Sequence, residues 1–165
     1  MRRLACGFLL VSSLVLVASA MADTPATEAF TRLRALEGEW EGAMPDGKPT
    51  QVTYRIVSSG TCVMETLDTP DGSNMVTIYR VNGRSLLMDH YCSMGNQPRM
   101  RATPAAGAHT LDFGFVSATG LASPNAPHMH HFTLRFDDDE HLTHEWTLRS
   151  GKKDERSTFH FTRKH

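Results

Sequence analysis

The sequence predicts one all-β domain, a closed antiparallel up-and-down barrel of about ten strands with a short N-terminal helix covering the closed end. Three observations support this fold class. Most of the chain consists of short runs in which apolar and polar residues alternate, turn residues separate these runs, and only one segment has the period of a helix. The 165 residues, 40% hydrophobic and 21% charged, are typical of one globular domain.

Residues 1–22 have the pattern of a secretory signal peptide. Two arginines precede an apolar run over 4–18, and small residues follow, so that cleavage is expected after Ala20 or Ala22. An uncleaved membrane anchor is the alternative, but the run is diluted by serines and no basic residue follows it. We therefore expect a periplasmic or secreted β-barrel domain over 23–165, with no stable membrane insertion after cleavage.

The first element of the domain is predicted to be an amphipathic helix. Thr24 is suited to the N-cap and Pro25 to the first helical position. Apolar residues then recur at spacings of three and four, namely Ala26, Ala29, Phe30, Leu33 and Leu36. Gly38 provides the stop signal.

The rest of the chain predicts ten strands joined by short turns. The predicted strands are 39–43, 52–58, 61–67, 75–82, 85–92, 99–104, 109–116, 129–137, 141–149 and 156–163. Turn signals such as Asn82-Gly83 and Ser150-Gly151 separate them. A meander of this length removes its unpaired edges by closing into a barrel.

The period of two assigns the inward side chains of the last three strands. The predicted inward residues are His130, Phe132, Leu134 and Phe136, then Leu142, His144, Trp146 and Leu148, then Phe159 and Phe161. Strands 61–67 and 75–82 show no clean alternation, so no faces are assigned there.

The lengths of the connections distinguish the two ends of the predicted barrel. Short connections lie at one end, over 59–60, 83–84, 105–108 and 138–140, and longer ones lie at the other, over 44–51, 68–74, 93–98, 117–128 and 150–155. Because long loops tend to carry binding groups, the second end is predicted to be the mouth of a cavity.

Two segments resemble a known superfamily. The segment 36–42, LEGEWEG, resembles the Gly-x-Trp opening of calycin barrels, in which the tryptophan plugs the closed end. The number of strands, ten, resembles that of the nitrobindin and fatty-acid-binding branch of this superfamily. The segment HYC at 90–92, followed by GNQPRM at 95–100, is similar to a signature of a set of uncharacterised bacterial lipocalin-like proteins. The resemblance implies a cavity for a small ligand and leaves the ligand open.

Three histidines are predicted to lie at the mouth, and they leave three interpretations open. His90, His128 and His130 could be hydrogen-bonded rim residues, could recognise an organic ligand, or could coordinate a metal such as zinc. His144 is instead predicted to be a hydrogen-bonded core residue, because a hairpin with a three-residue loop at 138–140 places it opposite Leu134.

The candidate ligand-binding residues combine the mouth loop with the barrel interior. They are His90, Asn96, Gln97, Arg99, His130, Phe132 and Trp146. Asn96 and Gln97 offer donors and acceptors, and the guanidinium of Arg99 could bind a carboxylate or phosphate. The alternative is a turn whose polar groups bond to one another.

The two cysteines outside the signal peptide are predicted to be free thiols. Cys62 begins one predicted strand, Cys92 ends another, and a third strand separates them, which places the two beyond disulfide reach. Cys92 beside His90 could be a nucleophile or a metal ligand, and a buried unreactive thiol is the alternative.

These patterns favour an exported carrier or sensor of a small, partly apolar ligand. A net charge of -1 without a basic block argues against a nucleic-acid partner. The alternatives are a metal- or haem-binding barrel and a hydrolase or isomerase of unknown substrate. The resemblance to nitrobindin implies a haem ligand near the C-terminus, but His160 has outward parity there, and no nucleophile elbow or other catalytic motif is present. No cofactor is specified.

Overall fold

The computed structural model describes residues 24–44 and 46–165, so the predicted signal peptide lies outside the described residues. The described residues form one α-helix, a single 3-10 turn at Ser58–Gly60 and ten strands. The α-helix and strands are α1 (Pro25–Ala35), β1 (Gly38–Ala43), β2 (Pro49–Val57), β3 (Cys62–Asp68), β4 (Asn74–Asn82), β5 (Ser85–Tyr91), β6 (Gln97–Ala102), β7 (Thr110–Thr119), β8 (His128–Phe136), β9 (His141–Ser150) and β10 (Lys153–Arg163).

The strands form a closed antiparallel barrel, as predicted. Each strand pairs with its neighbours in the sequence, and β1 pairs with β10 to close the ring, with Trp40 opposite Arg163. Closure through three residue pairs, from Trp40 opposite Arg163 to Gly42 opposite Phe161, leaves neither β1 nor β10 as a free outer strand at the closed end, where edge-to-edge association would otherwise begin. The predicted fold class is confirmed.

The predicted N-terminal helix is also confirmed, and it covers the closed end. Thr24 is the N-cap, and its side chain accepts a hydrogen bond of 3.2 Å from the Thr27 amide. The apolar face buries Phe30 and Leu33 against the barrel core. No helix among residues 24–44 and 46–165 is long and apolar enough to cross a membrane.

Trp40 fills the closed end beneath the helix. Its indole nitrogen donates a 2.8 Å hydrogen bond to the Leu36 carbonyl, and the side chain is fully buried. The guanidinium of Arg163 lies 4.2 Å from the centre of the Trp40 ring and also donates to the carbonyls of Glu37 and Ala35. These contacts join the first strand, the last strand and the helix.

The structure places the connections at the predicted ends, but their lengths do not separate the ends as cleanly as expected. At the closed end, 103–109 is long because it passes beneath the helix, where Arg32 donates to the Ala108 carbonyl and the Gly107 amide donates to Glu28. At the mouth, 151–152 is minimal because Gly151 has a φ of +60°, which suits a tight hairpin turn.

Strict alternation fails at one predicted inward residue. The pairing of β8 with β9 shifts register between Met129 and His131, so His130 occupies a β-bulge. Met129 takes the inward position next to Phe132 and packs against the core. The prediction that His130 faces inward is therefore wrong, because one extra residue reverses the parity of everything before it.

Candidate functional site

A partly open, mainly apolar cavity lies inside the mouth of the barrel. Its volume is about 180 Å³, close to the roughly 150 Å³ that accommodates benzene in an engineered protein cavity. We call it the mouth cavity, and its lining is Met44, Leu67, Met75, His90, Met129, Trp146, Ser157 and Phe159. A wider, more open cavity of about 390 Å³ shares Met44, Met75 and Met129 with it, so these methionines separate the mouth cavity from the exterior.

Two residues of this lining each have a buried polar atom with no hydrogen-bond partner among the described residues. The two atoms are Nε2 of His90 and the indole nitrogen of Trp146, whose side chains are only 2% and 3% exposed. The two rings pack against each other with their centres 4.6 Å apart. Since most buried polar groups are bonded, an unpartnered pair in the wall of one cavity indicates a site for a ligand or water.

The other ring nitrogen of His90 belongs to a buried hydrogen-bond chain. Nδ1 of His90 lies 2.9 Å from the hydroxyl of Thr77, and that hydroxyl donates a longer bond of 3.4 Å to Glu65 Oε1. Tyr79 donates a 2.7 Å bond to the other carboxyl oxygen of Glu65. β3, β4 and β5 are adjacent and contribute these four inward side chains, so the register of the sheet fixes their order.

A second arm connects Glu65 to the middle of the barrel. Tyr54 lies close enough to Glu65 to lower the pKa of its carboxyl group, and the Tyr54 hydroxyl lies 2.7 Å from Nε2 of His144. His144 is fully buried opposite Leu134, which confirms the prediction of a hydrogen-bonded core histidine. Glu65 therefore lies between two histidines, each reached through one hydroxyl group.

Burial determines the charge of this network. Desolvation raises the pKa of Glu65 from 4.5 to about 7, and the bonds from Tyr79, Tyr54 and Thr77 limit the rise. Desolvation also lowers the pKa of His90 to about 4 and that of His144 to about 3. At neutral pH both imidazoles are therefore uncharged.

His128 and His130 form a separate, internally bonded pair. Arg149 donates to Nε2 of His130, which leaves Nδ1 of His130 to donate to His128 Nε2 at 3.2 Å, and Nδ1 of His128 then donates to the Ala126 carbonyl at 2.8 Å. Both rings also pack on Phe115. Every ring nitrogen of the pair is thus used within the protein, as the rim interpretation expects.

The predicted metal set of His90, His128 and His130 does not come together. Within the described part of the chain, no group of three or more His, Cys, Asp or Glu residues could hold a metal ion. The physical reason is the bulge, which puts His128 opposite the outward Arg149 while His90 faces the interior.

The polar residues of the mouth loop bond to the protein itself. Asn96 is buried and donates a 2.9 Å bond to the Pro127 carbonyl, and Gln97 bonds the Gly95 carbonyl and the Thr119 hydroxyl. These contacts agree with the self-bonded turn. They tie the turn after β5 to the loop before β8.

Arg99 lies on the outer surface of the barrel, not in the mouth cavity. Its guanidinium contacts Asp89 at 2.6 Å, and Asp89 also pairs with Arg80 at 2.7 Å. Arg99 opposes Asp89 across β5 and β6, so the pleat directs both side chains outward. Arg99 therefore does not line the mouth cavity, and its partner within the protein is Asp89.

The apolar candidates and the cysteines take distinct positions. Phe132 is fully buried and stacks on Trp146 with ring centres 4.0 Å apart, so it supports the wall of the cavity from behind.

Cys62 and Cys92 are free and lie at opposite ends of the barrel. Burial raises the pKa of Cys92, and the only side chain hydrogen-bonded to His90 among residues 24–44 and 46–165 is Thr77, so no activated thiol accompanies this histidine.

Sequence reasoning did not identify the polar network. Glu65, Thr77 and Tyr79 point inward, whereas apolar residues such as Val76 and Ile78 lie on the other face of β4. The sequence does contain one indication of this network. Val63, Glu65 and Leu67 alternate with a period of two, which places the Glu65 carboxylate on an otherwise apolar inward face of β3.

Comparison with known proteins supports the fold. No family model and no curated protein matches the chain. The structure of Rv2717c from M. tuberculosis is similar, with a TM-score of 0.59 at 16% identity over 85% of this chain and 99% of that one. A protein of unknown function from the DUF3598 family of Nostoc punctiforme matches with a TM-score of 0.55 at 12% identity, over 80% of this chain and 49% of that one. At these identities the likeness shows the fold alone, a barrel compatible with ligand binding.

Proposed function

We propose that this protein is an exported carrier or sensor that binds a small, partly apolar molecule in the mouth cavity. The observation that carries the proposal is the pair of unpartnered buried atoms, His90 Nε2 and the Trp146 indole nitrogen, in the lining of one apolar cavity. Ligand sites combine apolar walls with a few polar groups in this way.

The lining also determines the size and shape of the ligand. A cavity of about 180 Å³ accommodates a single six-membered ring. Met44, Met75 and Met129 form much of the wall toward the exterior, and the unbranched, polarizable methionine side chain adapts its shape to what it contacts. The ligand therefore enters past the methionines and places its polar end near His90.

Haem binding, one of the alternatives, fits these residues poorly. A haem macrocycle contains four pyrrole rings, whereas the mouth cavity has room for about one ring. His160 is exposed on the outer face of β10 and contacts Thr143, so it cannot serve as an axial ligand inside the barrel.

A cavity-filling variant tests the proposal. Ser157 lines the cavity opposite Trp146, and its side chain has no hydrogen bond to any described residue, so Ser157→Phe places a ring in the cavity without removing such a bond. Thr158→Phe, one residue later on the exposed face of β10, is the matched control. Binding of toluene, anisole and phenol is measured through the indole NMR signal of Trp146.

The wild type and Thr158→Phe are expected to bind at least one of the three probes, and Ser157→Phe is expected to bind none of them. If the wild type and both variants bind the probes equally, the site lies elsewhere. If none of the three proteins binds any probe, a ring-sized ligand is rejected. Export is tested separately by fractionating cells that express the full chain, since cleavage after Ala20 or Ala22 gives a defined mature mass.

A further inference from the structure

The hydroxyl group of Thr77 has one proton and lies between two groups that could accept it. The hydroxyl oxygen lies 2.9 Å from Nδ1 of His90 and 3.4 Å from Oε1 of Glu65. A threonine hydroxyl has one hydrogen and two lone pairs, so it can donate to only one of these two neighbours at a time. The direction of one bond therefore determines the direction of the other.

The charge on Glu65 decides that direction. An ionised carboxylate only accepts, so Thr77 donates to Glu65 and accepts from Nδ1–H of His90, which leaves Nε2 as a bare acceptor toward the cavity. A protonated carboxyl group whose proton lies on Oε1 donates to Thr77, Thr77 then donates to Nδ1, and the proton of the neutral imidazole moves to Nε2. Tyr79 donates to the other carboxyl oxygen at 2.7 Å, which keeps Oε1 as the oxygen that faces Thr77.

We propose that Glu65, acting through Thr77, is the positioning residue that sets the tautomer of His90, and that the ionised form selects a small uncharged phenol or alcohol. This inference rests on the proposed function of the mouth cavity. The hydroxyl of such a ligand donates to His90 Nε2 and accepts from the Trp146 indole N–H, which satisfies both unpartnered atoms.

The lining explains why the ligand is uncharged. None of the eight residues around the mouth cavity carries a charge at neutral pH, because His90 is held in its neutral form by burial. A carboxylate or ammonium group would lose its hydration there without gaining an opposite charge. A hydroxyl group requires only the acceptor and the donor that the cavity offers.

The groups that face Glu65 do not themselves change charge near neutral pH, so a change in the charge of Glu65 alters the hydrogen bonds that lead to His90. These groups are the phenols of Tyr54 on β2 and Tyr79 on β4, with His144 of β9 one bond beyond Tyr54 and His90 of β5 one bond beyond Thr77. Both phenols have a pKa raised well above 10 by burial and both histidines stay neutral, so Glu65 is the member that changes charge near neutral pH.

The tautomer of His90 is measured directly by NMR on protein labelled with nitrogen-15 in its histidines. Spectra of the wild type are recorded well above and well below pH 7, the region in which Glu65 titrates. The proton of His90 is expected on Nδ1 at high pH and on Nε2 at low pH, with the ring neutral in both. A tautomer that does not change with pH overturns the inference.

Two variants separate the positioning role from a structural one. Glu65→Gln keeps the shape and is neutral, and because Tyr79 donates to the amide oxygen, the amide nitrogen faces Thr77 and donates to it. His90 is then expected to stay protonated on Nε2 at all pH values. Thr77→Val breaks the connection and leaves Glu65 in place, so the pH response of His90 is expected to disappear. A response that persists in Thr77→Val overturns the inference, and this variant serves equally if Glu65→Gln does not fold.

Ligand selection is tested with phenol, anisole and toluene, which share size and differ in polar groups. At high pH the wild type is expected to bind phenol about tenfold more tightly than anisole or toluene, because only phenol both donates and accepts. In Glu65→Gln the preference for phenol over anisole is expected to be lost. Equal affinities in the wild type would overturn the ligand class, whereas the tautomer measurement needs no ligand and stands even if none of the probes binds.

Discussion

The two tryptophans of this chain are buried at opposite ends of the barrel and are held in different ways. Trp40, at the closed end, donates to the Leu36 carbonyl at 2.8 Å and lies under the Arg163 guanidinium. Trp146, at the mouth, stacks on Phe132 and packs against the tilted ring of His90, but its indole nitrogen has no partner among the described residues. The closed end is therefore bonded internally, whereas the mouth retains bonding capacity for another molecule.

Cavity volume alone does not distinguish the two ends. A cavity of about 590 Å³ lies at the closed end, between the helix and the turn after β8, and it is larger than the mouth cavity. Several of its charged groups have partners within the protein, since Arg32 donates to the Ala108 carbonyl and Asp138 bonds His141, and none of its buried side-chain atoms is unpartnered among the described residues. Unpartnered buried atoms, not space, therefore mark the mouth as the binding end.

The largest expected effect on the free energy of unfolding concerns Glu65, which connects the residues of the mouth with those in the interior of the barrel. Its pKa is raised from 4.5 to about 7, so the native carboxyl group stays protonated in a range where the unfolded chain ionises. The stability from this group is fully present below pH 4.5 and is lost as the pH rises through about 7. At 1.36 kcal/mol per pKa unit, the loss is about 3 kcal/mol in the free energy of unfolding.

Urea unfolding of the wild type and Glu65→Gln across this pH range measures the effect. His90 and His144 have lowered pKa values, so their contribution is lost in the opposite direction, as the pH falls below 6.5. Both proteins retain these histidines, so the difference between the proteins isolates Glu65. A difference that stays constant with pH would show that the Glu65 carboxyl group does not titrate in the native state.

A smaller effect on stability is expected to distinguish Trp40 from Trp146. Trp40→Phe leaves the buried Leu36 carbonyl without its donor and reduces the aromatic surface beneath Arg163, whereas Trp146→Phe removes no hydrogen bond to a described residue. Both variants lose the same side-chain volume. Trp40→Phe is therefore expected to lower the free energy of unfolding by about 2 kcal/mol more than Trp146→Phe. Equal losses in urea unfolding would mean that the closed end gains nothing from its internal bonds.

The fold could be predicted from the sequence because its signals are local and repeat along the chain. Alternation in β9 and β10 placed Trp146 and Phe159 inside, and the length of one hairpin loop placed His144 opposite Leu134. A bulge has no comparable signal. The extra residue at His130 is visible only in the pairing of β8 with β9, so the histidine expected inside the cavity forms its bonds outside it.

The candidate site was predicted only in part, for a different reason. His90 and Trp146 were expected to bind ligand and do line the mouth cavity. Glu65 and Thr77 did not stand out, because a buried carboxylate interrupts the apolar pattern that identifies an inward face. Arg99 was chosen for its chemistry, but the register of β5 and β6 places it opposite Asp89 on the outer surface. Which face a polar residue takes depends on its partners across the sheet, and those partners are not neighbours in the sequence.

The smallest expected effect on stability concerns Asn96, whose amide nitrogen is bonded within the mouth although its side-chain oxygen has no partner among the described residues. Asn96 is buried and donates to the Pro127 carbonyl at 2.9 Å, which holds the loop over 120–127 against the turn after β5. Asn96→Ala is expected to lower the free energy of unfolding by about 1 kcal/mol and to increase amide hydrogen exchange in this loop. The matched control, Gln97→Ala, loses only exposed bonds and is expected to change stability by less than about 0.5 kcal/mol. If the two variants have the same exchange rates over 120–127, the loop is held by other contacts and does not depend on Asn96.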